Sequence, residues 1–340
     1  MFDKRSGSSS QLLLAGITLL AVGCSDQKPA ASTACVAFDT QACWGPAACQ
    51  GGQMCKADGS GWSTCDCGSP LLQDGSAPVD AGTAQDANSG LPLVCANDSK
   101  ATSFVCDDTA IIRMGTSKYW INNDVWGRPT ADTTSRQCIW ASCAADSGIN
   151  WGTSWDWSGG KTVKAYPSVV LGWQWGLQIK DTGLPVQLSE NRTIASGWQF
   201  SVTQNDDGPF SLDVAYDLWI HTIPNPNDSG AGVNEPSDEV MIWLYTSDTR
   251  PAGTLVVPGI SIAGTSWDLW EGPVQSWNVH SFTRSANTMS STLNINDFLS
   301  YLVKERGLDS TKYLTSVQAG TEVLRGAGEV DTSLYYCNVQ

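Results

Sequence analysis

Ser211-Leu212-Asp213-Val214-Ala215-Tyr216-Asp217-Leu218-Trp219-Ile220 reads as a β-strand with two unlike faces. Successive side chains of an extended chain point to opposite sides, so Leu212, Val214, Tyr216, Leu218 and Ile220 share one face. Asp213, Ala215, Asp217 and Trp219 share the other. The first face is core. The second sets two carboxylates beside an indole, an unusual lining for a sheet unless it borders water or a polar ligand. The run Asp238 to Leu244 repeats the arrangement, with Val240, Ile242 and Leu244 on one side and Glu239, Met241 and Trp243 on the other. A glutamate at the head of so apolar a strand is a candidate for a raised pKa and for chemistry, although such a residue taken alone is more often a solvated strand end. Toward the C-terminus Ser316, Gln318, Gly320 and Glu322 alternate onto one face, opposite Val317, Ala319 and Thr321. Gly320 is expected to leave room for a ligand.

Working outward, short period-two runs continue from about Val94, divided by turn signals such as Asp206-Asp207-Gly208-Pro209 and Asn225-Pro226-Asn227-Asp228. Many short strands predict an all-β sandwich or barrel. One helix is expected, because Ile295, Phe298, Leu299, Leu302 and Val303 fall at helical spacing, with Asn294 as N-cap and Gly307 as stop. It should pack its apolar stripe against a sheet. A net charge of −15 repels phosphate backbones and anionic headgroups, so nucleic acid is a poor partner. A neutral polymer meets no such repulsion, and sixteen tryptophans offer flat faces for sugar rings as well as core material.

The first 23 residues read as a targeting segment. Lys4 and Arg5 precede the apolar run Leu12 to Val22, which is too short to span a bilayer stably. It ends in Leu20-Ala21-Val22-Gly23-Cys24, a pattern that resembles a bacterial lipobox with Cys24 as the lipidated mature terminus. Export then governs the remaining cysteines. Cys35, Cys43, Cys49, Cys55, Cys65 and Cys67 are even in number, lie among glycines and have no histidine nearby. A disulfide-stapled module over 24–67 is therefore expected rather than a zinc site. Residues 68–93, rich in Gly, Ala, Asp, Ser and Pro, read as a solvated linker, and 94–340 as the main domain. The anchor would be the only membrane contact, at the outer membrane or cell surface. The domain itself is expected to act as a monomer.

Two acidic residues ending polar-faced strands suit glycoside hydrolysis, in which one carboxyl protonates the leaving oxygen while another attacks, or activates water at, the anomeric carbon. The same segments resemble a family. Trp151 to Pro167, Val214-Ala215-Tyr216-Asp217-Leu218-Trp219, Glu239-Val240-Met241-Ile242-Trp243-Leu244, Gly264-Thr265-Ser266-Trp267-Asp268-Leu269-Trp270 and Val317-Gln318-Ala319-Gly320-Thr321-Glu322 occur in the order seen in glycoside hydrolase family 12. The resemblance runs from about Tyr119 to Glu322. It implies a jelly-roll β-sandwich of two packed antiparallel sheets with a concave cleft, and a retaining endo-β-1,4-glucanase acting on cellulose-type glucan, mixed-linkage β-glucan or xyloglucan without metal or organic cofactor.

Residue by residue, the resemblance implies Glu239 as nucleophile, Glu322 as general acid/base and Asp217 as the aspartate that hydrogen-bonds the nucleophile. Asn123 and Trp126 match the glycone-side pair, Trp126 being the stacking platform. Gln174 and Trp175 would line the same subsites, and Met241 and Trp243 the cleft floor. Cys106 with Cys138 is the disulfide the family pattern implies. Two departures are visible. Val323 and Leu324 follow Glu322 where the family has proline and an aromatic, and Asp124-Val125 stand where the Asn-Asn-x-Trp-Gly motif has one residue. A non-catalytic glycan-binding lipoprotein on the same sandwich is the main rival reading. It would keep Trp126 and Trp175 but has no need of both glutamates and Asp217. A purely structural surface lipoprotein leaves the acidic strand heads without a reason.

Overall fold

The computed structural model describes residues 40–44, 50–54, 104–113, 117–132, 134–143, 148–228 and 235–340. Cys24, the targeting segment, the linker and most of the module at 24–67 lie outside the described residues. Within that module, β1 (Thr40–Trp44) and β2 (Gln50–Met54) pair as an antiparallel hairpin.

The main domain runs through β3 (Phe104–Val105), β4 (Ile111–Arg113), β5 (Tyr119–Asn122), β6 (Arg136–Cys143), β7 (Ile149–Trp157) and β8 (Ser168–Gln174). Next come β9 (Leu177–Gln178), β10 (Val186–Gln187), β11 (Ile194–Gln204), β12 (Ser211–His221), β13 (Asp238–Ser247), β14 (Thr254–Ile262) and β15 (Thr265–Val274). The chain ends with β16 (Trp277–Arg284), β17 (Ser290–Asn294), α1 (Asn296–Tyr301), β18 (Tyr313–Gly320) and β19 (Val323–Val339).

Pairing divides these strands into two layers. One has the order β3-β6-β7-β19-β11-β17, the other β4-β5-β8-β18-β12-β13-β16-β15-β14, with the short β9 and β10 against β8 and β18. The start of β19 pairs with β12 before the strand crosses to β7 and β11, so one strand ties the layers together. Neighbours are antiparallel except β13 and β16, which run parallel because the β14–β15 hairpin returns the chain alongside β13. This is the sandwich that the pattern of short strands predicts, in the jelly-roll form that the family resemblance implies.

The alternation read in Ser211 to Ile220 holds at every position. Leu212, Val214, Tyr216, Leu218 and Ile220 enter the core between the layers, together with Val240, Ile242 and Leu244 of β13 and Val317 and Ala319 of β18. Trp198 centres that core, with its ring 5.3 Å from Tyr216 and 6.2 Å from Tyr335. Large rings in tilted and edge contact add to the aliphatic area whose burial offsets chain entropy. The expected disulfide joins Cys106 to Cys138, while Cys337 is a buried free thiol.

The helix forms where its apolar spacing predicted, as α1 followed by a π turn over Leu302–Arg306, and Gly307 at φ 75° stops it. Phe298 packs on Trp267 and Phe282 at 4.9 and 5.1 Å, on the sheet face opposite Glu239. Asn294 does not cap it. Its Oδ1 accepts from Ile194 N–H at 2.9 Å and its amide donates to Asp297, because the side chain bridges to β11 instead.

Candidate active site

The second face of β12 lies between β13 and β18. Asp217 stands opposite Met241 on one side and Gln318 on the other, and Trp219 opposite Glu239 and Ser316. Period-two alternation on three adjacent strands thus gathers polar side chains onto one face. Glu239 opens partly to the cleft, and its Oε2 accepts from Trp277 Nε1 at 2.7 Å. Trp277 comes from β16 across the parallel pairing, a neighbour that no local pattern announces.

Glu322 lies just past β18, in the two-residue link to β19, rather than within the strand. Its carbonyl accepts from Asp213 N–H at 3.1 Å, and Thr321 Oγ1 donates to the carbonyl of Asp213. Glu322 is therefore level with Asp213, while Glu239 is level with Trp219. On a flat strand that span would be about 20 Å, at roughly 3.3 Å per residue. The strand is not flat. The pairing of β12 slips by a residue at Ser211/Leu212, Val214/Ala215 and Trp219/Ile220, and such bulges bend and twist a strand. The two glutamates consequently feel each other's charge across the concave face.

Electrostatics follow from that gathering. Burial pushes Glu239 up to about 7, with the Glu322 charge adding and the Trp277 hydrogen bond opposing. Burial also raises Glu322. Asp217 is raised well above the carboxylate range by burial and by the charges of Glu239, Glu322 and Asp124. Asp124, in the loop carrying Trp126, is raised to about 7 by burial. Tyr166, in the bend before β8, faces all four carboxyls of the cleft centre and donates to Ala215 O at 3.0 Å. So many carboxyls in one poorly solvated place cannot all ionise at once, which is how a site holds one protonated acid beside one carboxylate.

The other expected residues divide. Trp126 is 38% exposed, as a stacking platform requires. Gln174 is buried; its Oε1 accepts from Gln318 Nε2, and its own amide reaches Asp124 at 3.4 Å. Trp175 belongs to a tryptophan wall with Trp173, Trp219 and Trp277. That wall exists because Gly172 adopts φ 94°, where a Cβ would meet Thr315 O at 2.4 Å. The kink breaks the alternation of β8, so Trp173 leaves the core side that Val169 and Leu171 occupy. Met241 and Trp243 cluster with Ala215 and Val279, the thioether and the indole both being almost fully covered.

Asn123 is a different case. It is 0% exposed; its amide donates to Asp107 O at 2.8 Å and its Oδ1 accepts from Gln137 at 3.0 Å. It follows Tyr119 and Ile121 toward the core and fixes the Trp126 loop from behind, whereas Asn122 shares the Trp120 face. Gly320 leaves no space for a ligand either. A Cβ there would meet Pro167 O at 2.5 Å and Tyr166 Cζ at 2.9 Å, so the glycine lets Tyr166 approach the carboxyls. Tyr166, Trp277 and Gln318 join the site as well, the first two from segments distant from β12 in the chain.

Comparison with known proteins bears on this arrangement. The family model described as glycosyl hydrolase family 12 matches residues 117–339. Endoglucanase S of Pectobacterium parmentieri is 33% identical over 242 residues, covering 69% of this chain and 86% of that protein. A xyloglucan-specific endo-beta-1,4-glucanase A of Emericella nidulans is 36% identical over 213 residues, covering 61% and 79%. The family 12 xyloglucanase from Bacillus licheniformis superposes with a TM-score of 0.61 at 35% identity, over 70% of this chain and all (100%) of that one. With its two-layered sandwich, a family match over residues 117–339 and relatives of this identity and coverage, the chain belongs to glycosyl hydrolase family 12.

Proposed function

We propose that this protein is a retaining endo-β-1,4-glucanase, with Glu239 as nucleophile and Glu322 as general acid/base. The observation that supports the reading best is the electrostatic coupling of these two carboxyls on one cleft face, with only Glu239 holding an indole N–H donor. That donor stabilises the carboxylate form of Glu239 and leaves the shared proton to Glu322. Glu322 then protonates the glycosidic oxygen as Glu239 attacks the anomeric carbon, forming a glycosyl-enzyme. Glu322, now ionised, takes a proton from water, which attacks the same carbon and frees Glu239 with the β configuration restored. Asp217, on β12 between the two strands, faces both glutamates and tunes the charge of Glu239.

Trp126 and the Trp175 wall would carry the glycone side by stacking. The substrates are β-1,4-linked glucans; relatives named for endoglucanase and for xyloglucan-specific activity make branched and unbranched backbones the first to try. Lipid anchoring at Cys24 and the disulfide module at 24–67 would hold the monomeric domain 94–340 at the cell envelope. The test is reducing-sugar release from carboxymethyl cellulose, mixed-linkage β-glucan and xyloglucan, with NMR of the first anomer formed. Release of β-anomer by wild type and none by E239Q is expected. An initial α-anomer would remove the retaining mechanism, and binding without hydrolysis would favour a glycan-binding protein.

A further inference from the structure

Asp213 is the one cleft carboxyl that neither the mechanism nor the fold uses. It is 0% exposed, and neither carboxyl oxygen makes a full hydrogen bond among the described residues, the backbone N–H of Glu322 being the donor that faces it. An ionised carboxylate in that position would be a buried charge with no cation and no full hydrogen bond to hold it, a costly state. Its backbone is tied twice to the segment bearing Glu322, through Asp213 N–H to Glu322 O and Thr321 Oγ1 to Asp213 O. These ties stop β12 and the β18–β19 link from sliding, so the two carboxyl groups stay side by side, short of a fully formed hydrogen bond.

The groups around Asp213 are all acidic or neutral. Glu322 faces it from the link, Asp217 from its own strand and Tyr166 from the bend before β8, while Thr246 of β13 stands opposite. Arg325, in the register beside it, is exposed at the surface. With no cation at hand, the neutral acid is the form burial favours.

We propose that Asp213 is a positioning residue that stays protonated and gives its O–H as a hydrogen bond to Glu322 once Glu322 has lost its proton. This rests on the acid/base role of Glu322. In the first half-reaction the proton of Glu322 goes to the glycosidic oxygen, and the new carboxylate closes on the Asp213 hydroxyl. Asp213 keeps its own proton throughout. Burial alone would leave Glu322 too weak an acid and too unstable a base; the neighbouring O–H offsets this without adding charge.

The experiment is the pH dependence of kcat/KM for D213N, D213L and D213A on a soluble glucan. Asparagine also presents a neutral N–H donor, so D213N should hold the basic limb within about 0.3 of wild type. Leucine and alanine have no donor and should raise that limb by about 1 pH unit, the usual effect of one lost hydrogen bond to a carboxylate. A fall of the limb in D213N would mean that Asp213 is ionised, and would overturn the proposal. So would an unmoved limb in the folded donor-less variants, whatever their stability; alanine serves where leucine does not fold. E322Q separates the two levels. If it still hydrolyses polymer, the acid/base reading itself is wrong; if it is inactive while the limb ignores Asp213, only this inference fails.

Discussion

Replacing Glu239 by glutamine should stabilise the protein, and only at neutral and alkaline pH. Glu239 is displaced from its ordinary 4.5 to about 7, chiefly by burial and then by Glu322. Its folded pKa lies above the unfolded one, so between those values the folded state binds more protons and stability falls as pH rises. The penalty is absent near pH 4 and complete above about pH 7. At about 1.4 kcal/mol per pH unit the displacement from 4.5 to about 7 amounts to about 3.5 kcal/mol, and about 2–3 kcal/mol is a fair expectation because the charge of Glu322 contributes part of it. Glutamine cannot ionise, keeps an oxygen for Trp277 Nε1 and has nearly the same volume. For a domain of this size, 2–3 kcal/mol corresponds to roughly 4–10 °C in Tm. Thermal unfolding of wild type and E239Q at pH 4 and pH 8 should show nearly equal midpoints at the first and the full difference at the second. An E239Q protein that is no more stable at pH 8, or stabilised equally at both pH values, would refute the claim that this carboxyl is held against its solvation.

Three further outcomes follow from single contacts. W277F keeps the ring but removes the donor to Glu239; a hydrogen bond to a charged group contributes about 1.5–3 kcal/mol, so kcat/KM should fall roughly tenfold or more and the acid limb of its pH profile should rise. W126A removes an exposed stacking face worth about 1–1.5 kcal/mol, so KM should rise roughly tenfold with Tm unchanged, and a drop in Tm without a change in KM would contradict the platform role. At His280 burial works downward, but hydrogen bonds to Asp238 and Glu271 outweigh it and raise its pKa. Stability from the charged imidazole is then present below its ordinary 6.5 and lost as pH rises through the folded value. H280Q should therefore lower Tm more at pH 5.5 than at pH 9, as differential scanning fluorimetry would read.

The sequence by itself determined which residues face which way. Side-chain alternation is a property of the extended backbone, so Asp217, Glu239, Met241 and Trp243 could be put on a polar face, and the helix at Phe298 between its breakers, without knowing any partner strand. The tertiary structure decided who meets whom. Asn294 left its helix to bridge β11, and Gly320 served Tyr166 instead of a ligand, because both outcomes depend on segments a hundred or more residues away in the chain. The same holds for the site itself. Glu322 lies beside Asp213 and Glu239 beside Trp219, at separate levels of β12. The register slips along β12 bend the sheet that carries both charges, and such bending is a sum over all pairings that no single segment encodes.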